Sequence, residues 1–147
     1  MGLKTVLSLG MVMLILAPQI AAAQQGRVSI WDGVYTDAQA ERGRALYAQK
    51  CSVCHGADLS GDFETPPLVG RFMPYWSGST LNVLFEYIST AMPLQKPGAL
   101  GADANIDIVA FILKGNGIPS GSKGLSAGSL KTINFDPAKP VPRRPRK

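Results

Sequence analysis

Apolar and polar positions follow a helical period in three parts of the chain. In one of them, apolar residues recur every three or four positions, at Leu81, Leu84, Phe85 and Ile88. This spacing predicts a helix that begins near Ser79, with one face buried. Met92 continues the stripe, and because Pro93 disfavours helical geometry at the residue before it, the helix should end at Met92.

A second stripe predicts the last helix, from about Ala102 to Lys114. Its apolar face consists of Ile106, Val109, Ala110 and Leu113. Gly115 follows directly and is expected to stop the helix.

The first helix is indicated by its N-terminal signal. Thr36 followed three residues later by Gln39 fits a capping box, and the helix then extends to about Lys50. Gly43 and Tyr47 lie four apart on one face. A glycine here costs about 1 kcal/mol of helix stability relative to alanine. The close approach of another helix would explain it.

The remaining segments predict little regular structure. Residues 24–35 are expected to be extended or irregular, 56–78 to form a long loop, and 130–135 to contain at most a short strand. The predicted fold is a small all-α domain of three main helices joined by long loops. A loop of more than about 20 residues in a compact domain needs something beside it, and a large apolar cofactor would fill that space.

The N-terminal segment predicts export. Residues 1–23 contain a short basic region, an apolar run from Val6 to Leu16 and a small-residue end at Ala21–Ala23. This is the pattern of a cleaved secretory signal, and the apolar run is shorter than the roughly 20 residues that span a bilayer. We therefore expect a periplasmic protein with no stable membrane insertion after cleavage.

The charge lies at the other end. Of the 147 residues, 15 are basic and 10 acidic, and residues 137–147 hold five of the basic ones and no acid. Residues 24–136 are therefore nearly neutral, which argues against a nucleic-acid-binding face. We divide the chain into the signal at 1–23, a domain at 24–120, an extension at 121–136 and a basic, proline-rich, disordered tail at 137–147.

The candidate chemistry is in Cys51-Ser52-Val53-Cys54-His55. This is C-x-x-C-H, the attachment signature of c-type haem. Cysteines one helical turn apart can form thioethers with the two vinyl groups of one haem, and His55 points to the same side, toward the iron. The sequence thus predicts one covalently bound haem c.

Three other interpretations compete. A Cys51–Cys54 disulfide would make a thioredoxin-like redox pair, but no βαβ pattern surrounds it. A structural zinc site needs four ligands, and the chain has two cysteines and one histidine. Chance occurrence of the motif is poorly compatible with the export signal and the helices.

The second axial iron ligand follows by elimination. The chain has one histidine, and after signal cleavage Met73 and Met92 remain as candidates. We favour Met92, because the helix before it carries the chain across the haem, whereas Met73 lies early in the loop. The core packing of either methionine is the alternative. His55 should donate its other N–H to a backbone carbonyl, and we expect that of Pro66.

At these residues the chain resembles a class I cytochrome c over about residues 30 to 117. The shared features are C-x-x-C-H at 51–55, P-x-L-x-G at 66–70, Gly43, Tyr47, Met92-Pro93 and the helix segment 109–113. The stretch 31–43 is similar to small exported bacterial cytochromes, some of them associated with quinoprotein dehydrogenases. One departure is Phe111, where a tyrosine is commoner.

The resemblance implies a cytochrome c fold, a His55/Met92-ligated haem c and packing of the Gly43 helix against the Phe111 helix. It also implies single-electron carriage between redox partners, such as a quinoprotein dehydrogenase or a terminal oxidase. A haem peroxidase would need an open iron position beside an acid–base residue, and a gas sensor would need a dispensable Met92. A haem-bearing accessory subunit of a larger dehydrogenase is the remaining alternative.

Overall fold

The computed structural model describes residues 27–136. Five helices carry the fold: α1 (Asp37–Lys50), α2 (Ser52–His55), α3 (Phe72–Tyr75), α4 (Leu81–Ala91) and α5 (Ala102–Gly115). Two two-residue strands, β1 (Val28–Ser29) and β2 (Ile133–Asn134), pair in parallel. A single 3₁₀ turn, Ile30–Asp32, follows β1. The prediction of an all-α fold with three main helices is confirmed. The signal at 1–23 and the tail at 137–147 lie outside the described residues.

Helix α1 begins where the capping box predicts. The Thr36 hydroxyl accepts a hydrogen bond from the Gln39 N–H, and the Gln39 side chain accepts one from the Thr36 N–H, both at 3.3 Å. Two of the four unpaired N–H groups of the first turn are thereby satisfied.

Helices α1 and α5 cross in direct contact at Gly43. A Cβ atom on Gly43 would lie 1.8 Å from the Asp107 carbonyl oxygen of α5. Arg42 clamps the crossing through a bidentate ion pair with Asp107, at 2.7 and 2.8 Å. Tyr47 packs on Phe111 with ring centroids 5.1 Å apart. The expected packing of these two helices is confirmed.

Helix α4 begins two residues later than predicted. Thr80 is its N-cap and Met92 its C-cap, and the Met92–Pro93 peptide bond is cis. The buried face of α4 is the predicted stripe, with Leu81, Leu84 and Ile88 in the core.

The expectation that Gly115 stops the last helix is wrong. Gly115 is the last helical residue, Asn116 is the C-cap, and Gly117 has the left-handed φ of 74°. Gly115 serves close packing instead, because a Cβ there would lie 2.3 Å from Leu59 Cδ1. Asn116 in turn donates to the Leu68 carbonyl at 2.8 Å and ties the 56–71 loop to α5.

Two stretches are more ordered than the sequence indicated. The segment before α1 contributes Ile30 and Tyr35 to the core, and the loop at 56–78 contains α3. Beyond α5, the residues from 121 to 136 bury four large side chains: Leu125, Leu130, Ile133 and Phe135. The strand piece expected at 130–135 is β2.

Candidate cofactor site

A cavity of about 720 Å³ opens beside the C-x-x-C-H motif. Cys51, Cys54 and His55 line one part of it, and Leu84, Ile88 and Met92 of the α4 stripe line another. The volume lies within the roughly 300–1,000 Å³ that is typical of cofactor pockets. The cavity occupies the space that the sequence predicted beside the long loop.

The motif is held in one helical turn. Cys51 ends α1, and its carbonyl accepts hydrogen bonds from the N–H groups of Cys54 at 3.2 Å and His55 at 3.0 Å. Both cysteines are free thiols that face the same cavity as His55. Burial raises the pKa of the Cys51 thiol, and the charge of the neighbouring Cys54 raises it further.

His55 is oriented as predicted. Its Nδ1 lies 3.1 Å from the Pro66 carbonyl oxygen. A carbonyl can only accept, so Nδ1 carries the proton and Nε2 is left free to bind a metal. Proline's fixed φ holds this carbonyl in place.

Hydrogen bonds brace the segment that follows the motif. The Gly61 N–H donates to the His55 carbonyl at 2.9 Å, and the Leu68 N–H donates to the Leu59 carbonyl at 2.8 Å. Asp62 Oδ1 accepts from the Glu64 and Thr65 N–H groups at 2.9 and 2.7 Å. The loop that carries Pro66 is therefore built independently of the cavity.

Tyr47 seals the cavity from the α1 side. Its hydroxyl donates to the Gly56 carbonyl at 2.6 Å. Burial, with Cys51 and Asp58 nearby, raises the pKa of Tyr47 to about 12, so the phenol stays neutral at physiological pH.

The structure separates the two candidate methionines. Met92 lines the cavity, and three residues later Gln95 reaches the motif, with its Nε2 3.8 Å from Cys54 Sγ. Met73 belongs to α3 and is 8% exposed in the core, and it is not among the residues that line the cavity. Of these two methionines, Met92 is the one that lines the cavity.

Sequence reasoning missed one residue of the site, Trp76. Trp76 lines the cavity, although its Nε1 is buried in the surrounding protein and has no hydrogen-bond partner among the described residues. The ring therefore adds apolar wall to the cavity. The donor set of Cys51, Cys54 and His55, facing an apolar wall, fits haem c. A lone tryptophan in a loop gives no sequence signal for this role.

The arrangement does not fit the rival sites considered from the sequence. Across residues 27–136, no three His, Cys, Asp or Glu side chains come together in a way that could hold a metal ion. The two-residue parallel pair is the whole sheet of that same region, so a thioredoxin-like βαβ unit is not present there.

In this part of the chain no helix has the length and apolar character to span a bilayer.

Comparisons with known proteins identify the family and the fold. Residues 38–112 match the family model of cytochrome c oxidase, cbb3-type, subunit III. A thiosulfate dehydrogenase of Stutzerimonas stutzeri (strain A1501) is 31% identical over 98 residues, which is 62% of this chain and 32% of the relative. The chain thus spans about a third of the length of that protein.

Among solved structures, the chain is similar to the sulfane dehydrogenase SoxCD from Paracoccus pantotrophus. The TM-score is 0.53 and the sequence identity 22%, over 71% of this chain and 61% of that one. At this identity the similarity concerns the fold.

Proposed function

Because the chain belongs to the c-type cytochrome family whose model matches residues 38–112, we propose that it is an exported monohaem cytochrome that carries single electrons between redox partners. The observation that supports this proposal most strongly is that one cavity is lined by both cysteines and the histidine of the C-x-x-C-H motif and by Met92. Haem c supplies an iron that alternates between Fe(II) and Fe(III).

The residues that line the cavity would hold the haem in different ways. Cys51 and Cys54 would hold the haem through thioethers, and His55, oriented by Pro66, would bind the iron through Nε2. Met92 would supply a second ligand, and methionine ligation favours Fe(II) relative to histidine ligation. Trp76, Leu84 and Ile88 would keep water away from the haem.

Ligation of the iron by both His55 and Met92 would favour a carrier over an enzyme. A peroxidase requires an open iron position, and the one histidine of the chain would be used to hold the haem. A gas sensor requires that Met92 leave the iron readily. Difference spectra with carbon monoxide test both alternatives, because a carrier with two firm ligands gives no change.

A second candidate function is that of a haem-bearing accessory subunit of a larger dehydrogenase. It is supported by the similarity to thiosulfate dehydrogenase, of which this chain covers about a third. Purification of the native protein tests it, because an accessory subunit remains with a catalytic partner through the columns and a free carrier does not. A quinoprotein dehydrogenase or a terminal oxidase is the partner that we expect to exchange electrons with a free carrier.

Periplasmic localisation is part of the proposal and rests on residues 1–23. Expression of the full chain should yield a mature protein that begins at Gln24. Mass spectrometry of the periplasmic fraction reads this N-terminus directly, and a protein that retains residues 1–23 would contradict export by a cleaved signal.

Covalent attachment is the decisive test of the function. Acid–acetone extraction should leave the pigment with the protein, because thioethers resist it. The double variant Cys51→Ala, Cys54→Ala should lose stable haem and much of its fold, since the cofactor fills part of a small core. Val53→Ala is the matched control, because this side chain lies between the cysteines, is 84% exposed and should not affect attachment. Pigment that extracts from the wild type would refute the proposal.

A further inference from the structure

The segment that follows α5 is part of the cavity's support, although it lies beyond the residues matched by the family model. Residues 125–136 bury Leu130 and Phe135 completely. The Leu130 carbonyl accepts from the Asn82 N–H at 3.1 Å, at the start of α4. The segment therefore packs on the part of the fold from which the cavity wall is built.

Phe135 is the residue of this segment whose ring packs directly against a side chain of the cavity wall. Its ring packs edge-on against Phe72, with centroids 6.2 Å apart, and Phe72 packs on Trp76 at 6.0 Å. Phe72 and Trp76 both line the cavity, whereas Phe135 does not. Phe135 is thus a second layer behind two side chains of the wall.

The backbone fixes Phe135 in this position. Its N–H donates to the Ser79 carbonyl at 2.9 Å, and its carbonyl accepts from the Gly78 N–H at 3.3 Å. Thr80 and Asn134 form an antiparallel bridge beside it. The backbone N–H and the carbonyl of Phe135 therefore both bind the turn between α3 and α4, which carries Trp76.

We propose that Phe135 is a positioning residue for the cofactor, and that by supporting Phe72 and Trp76 it sets the polarity of the haem site. This inference rests on the proposed function. Its physical basis is that an aromatic ring removed from a close-packed core leaves a void into which neighbours move. Phe72 and Trp76 would then shift away from the cavity, and water would enter beside the haem.

The reduction potential reports this change. Burial and the hydrogen bonds around a haem set its potential, and admission of water favours the more highly charged Fe(III) form. Loss of the Phe135 ring should therefore lower the potential. If Phe135 only stabilised the fold, the loss of its ring would lower the unfolding temperature and leave the reduction potential unchanged.

The test uses the full chain with its covalent haem, in three variants. Phe135→Ala removes the ring, Phe135→Leu restores part of its volume, and Leu125→Ala is the matched control. Leu125 is equally part of the segment and 5% exposed, but its backbone pairs with Gln39 of α1. Spectroelectrochemical titration gives the midpoint potential, and circular dichroism of the Soret band reports the aromatic surroundings of the haem.

We expect Phe135→Ala to lower the potential and change the Soret dichroism, and Phe135→Leu to shift both less in the same direction. Leu125→Ala should lower the unfolding temperature and leave both readouts at the wild-type values. Equal shifts in Leu125→Ala, or none in Phe135→Ala, would overturn the inference while the carrier function stands. If Phe135→Ala does not retain haem, an unshifted Phe135→Leu overturns it. A wild type without covalent haem refutes the proposed function, and this inference with it.

Discussion

Gly43 determines how closely α1 and α5 approach each other. The neighbour that a Cβ would meet is a backbone carbonyl, which cannot move aside as a flexible side chain can. Gly43→Ala should therefore destabilise the protein by at least about 1–3 kcal/mol, the range of an overpacked core. Thermal unfolding of the holoprotein measures this. Gly128→Ala is the control, because nothing lies within 4 Å of its Cβ position, and the change should stay within about 0.5 kcal/mol. Equal unfolding temperatures in the two variants would contradict the role of Gly43.

The two methionines should differ in spectrum as well as in stability. Met92→Ala should abolish the weak long-wavelength iron–sulfur band of the oxidised protein, lower its potential and admit cyanide or carbon monoxide to the iron. Met73→Ala should keep the band and cost about 2–5 kcal/mol, because the side chain is buried in the core. The reverse pattern would transfer the ligand role to Met73 and leave the haem assignment in place.

Residues differ in how far the sequence predicted their roles. The His55–Pro66 hydrogen bond was predictable, because a ligating histidine requires an acceptor and the loop downstream of the motif must cover it. The place of Trp76 in the cavity wall was not predictable, since a lone tryptophan between two helices follows no period. Gly115 was misassigned as a helix stop because its packing against Leu59 is a tertiary contact.

Among the elements, the 56–71 loop is held in part by the carboxylate of Asp62. Backbone hydrogen bonds from Thr65 and Glu64 lower the pKa of Asp62. A carboxyl whose pKa is lowered on folding stabilises the fold above its unfolded pKa of about 3.9 and loses that effect as the pH falls through its folded pKa. Asp62→Asn should therefore unfold at a lower temperature than the wild type at pH 7. The difference should diminish as the pH falls below about 4. A difference that is constant with pH would show that the charge of Asp62 does not matter.

Phe63 lies at the tip of this loop and is fully exposed. Phe63→Ala should leave the unfolding free energy within about 0.5 kcal/mol of wild type, because exposed positions away from packing contacts tolerate substitution. Chemical denaturation of the holoprotein checks this. A larger loss would mean that the ring packs in solution.

Helices with a strong apolar stripe or a capping signal were predictable as elements. The stripe predicted α4, and the capping box predicted where α1 begins. Helix α3 was not predictable, because four residues that include Pro74 carry no period. The packing of the segment from 121 to 136 was also missed, since apolar residues separated by glycines and serines show neither a helical nor a strand period.

At the scale of the whole molecule, the basic tail should act through long-range charge. Deletion of residues 137–147 changes the net charge of the mature chain from +4 to −1. The haem spectrum and unfolding temperature should stay the same. The rate of electron exchange with hexacyanoferrate, an anionic probe, should fall at low ionic strength and match the wild-type rate at high salt, where the charges are screened. Equal rates at every salt concentration would show that the tail does not steer anions.

The parallel pairing of β1 with β2 brings together two segments that are 105 residues apart in the chain. Beside this pair, Trp31 Nε1 donates to the Asp136 carbonyl at 3.0 Å. The two ends of the described region therefore lie next to each other. Such a unit can be inserted into a surface loop of another protein without spreading that loop. A circular permutant with a short flexible linker from Asp136 to Arg27, and with new termini at the exposed Ser122–Lys123 bond, should therefore fold and bind haem like the wild type.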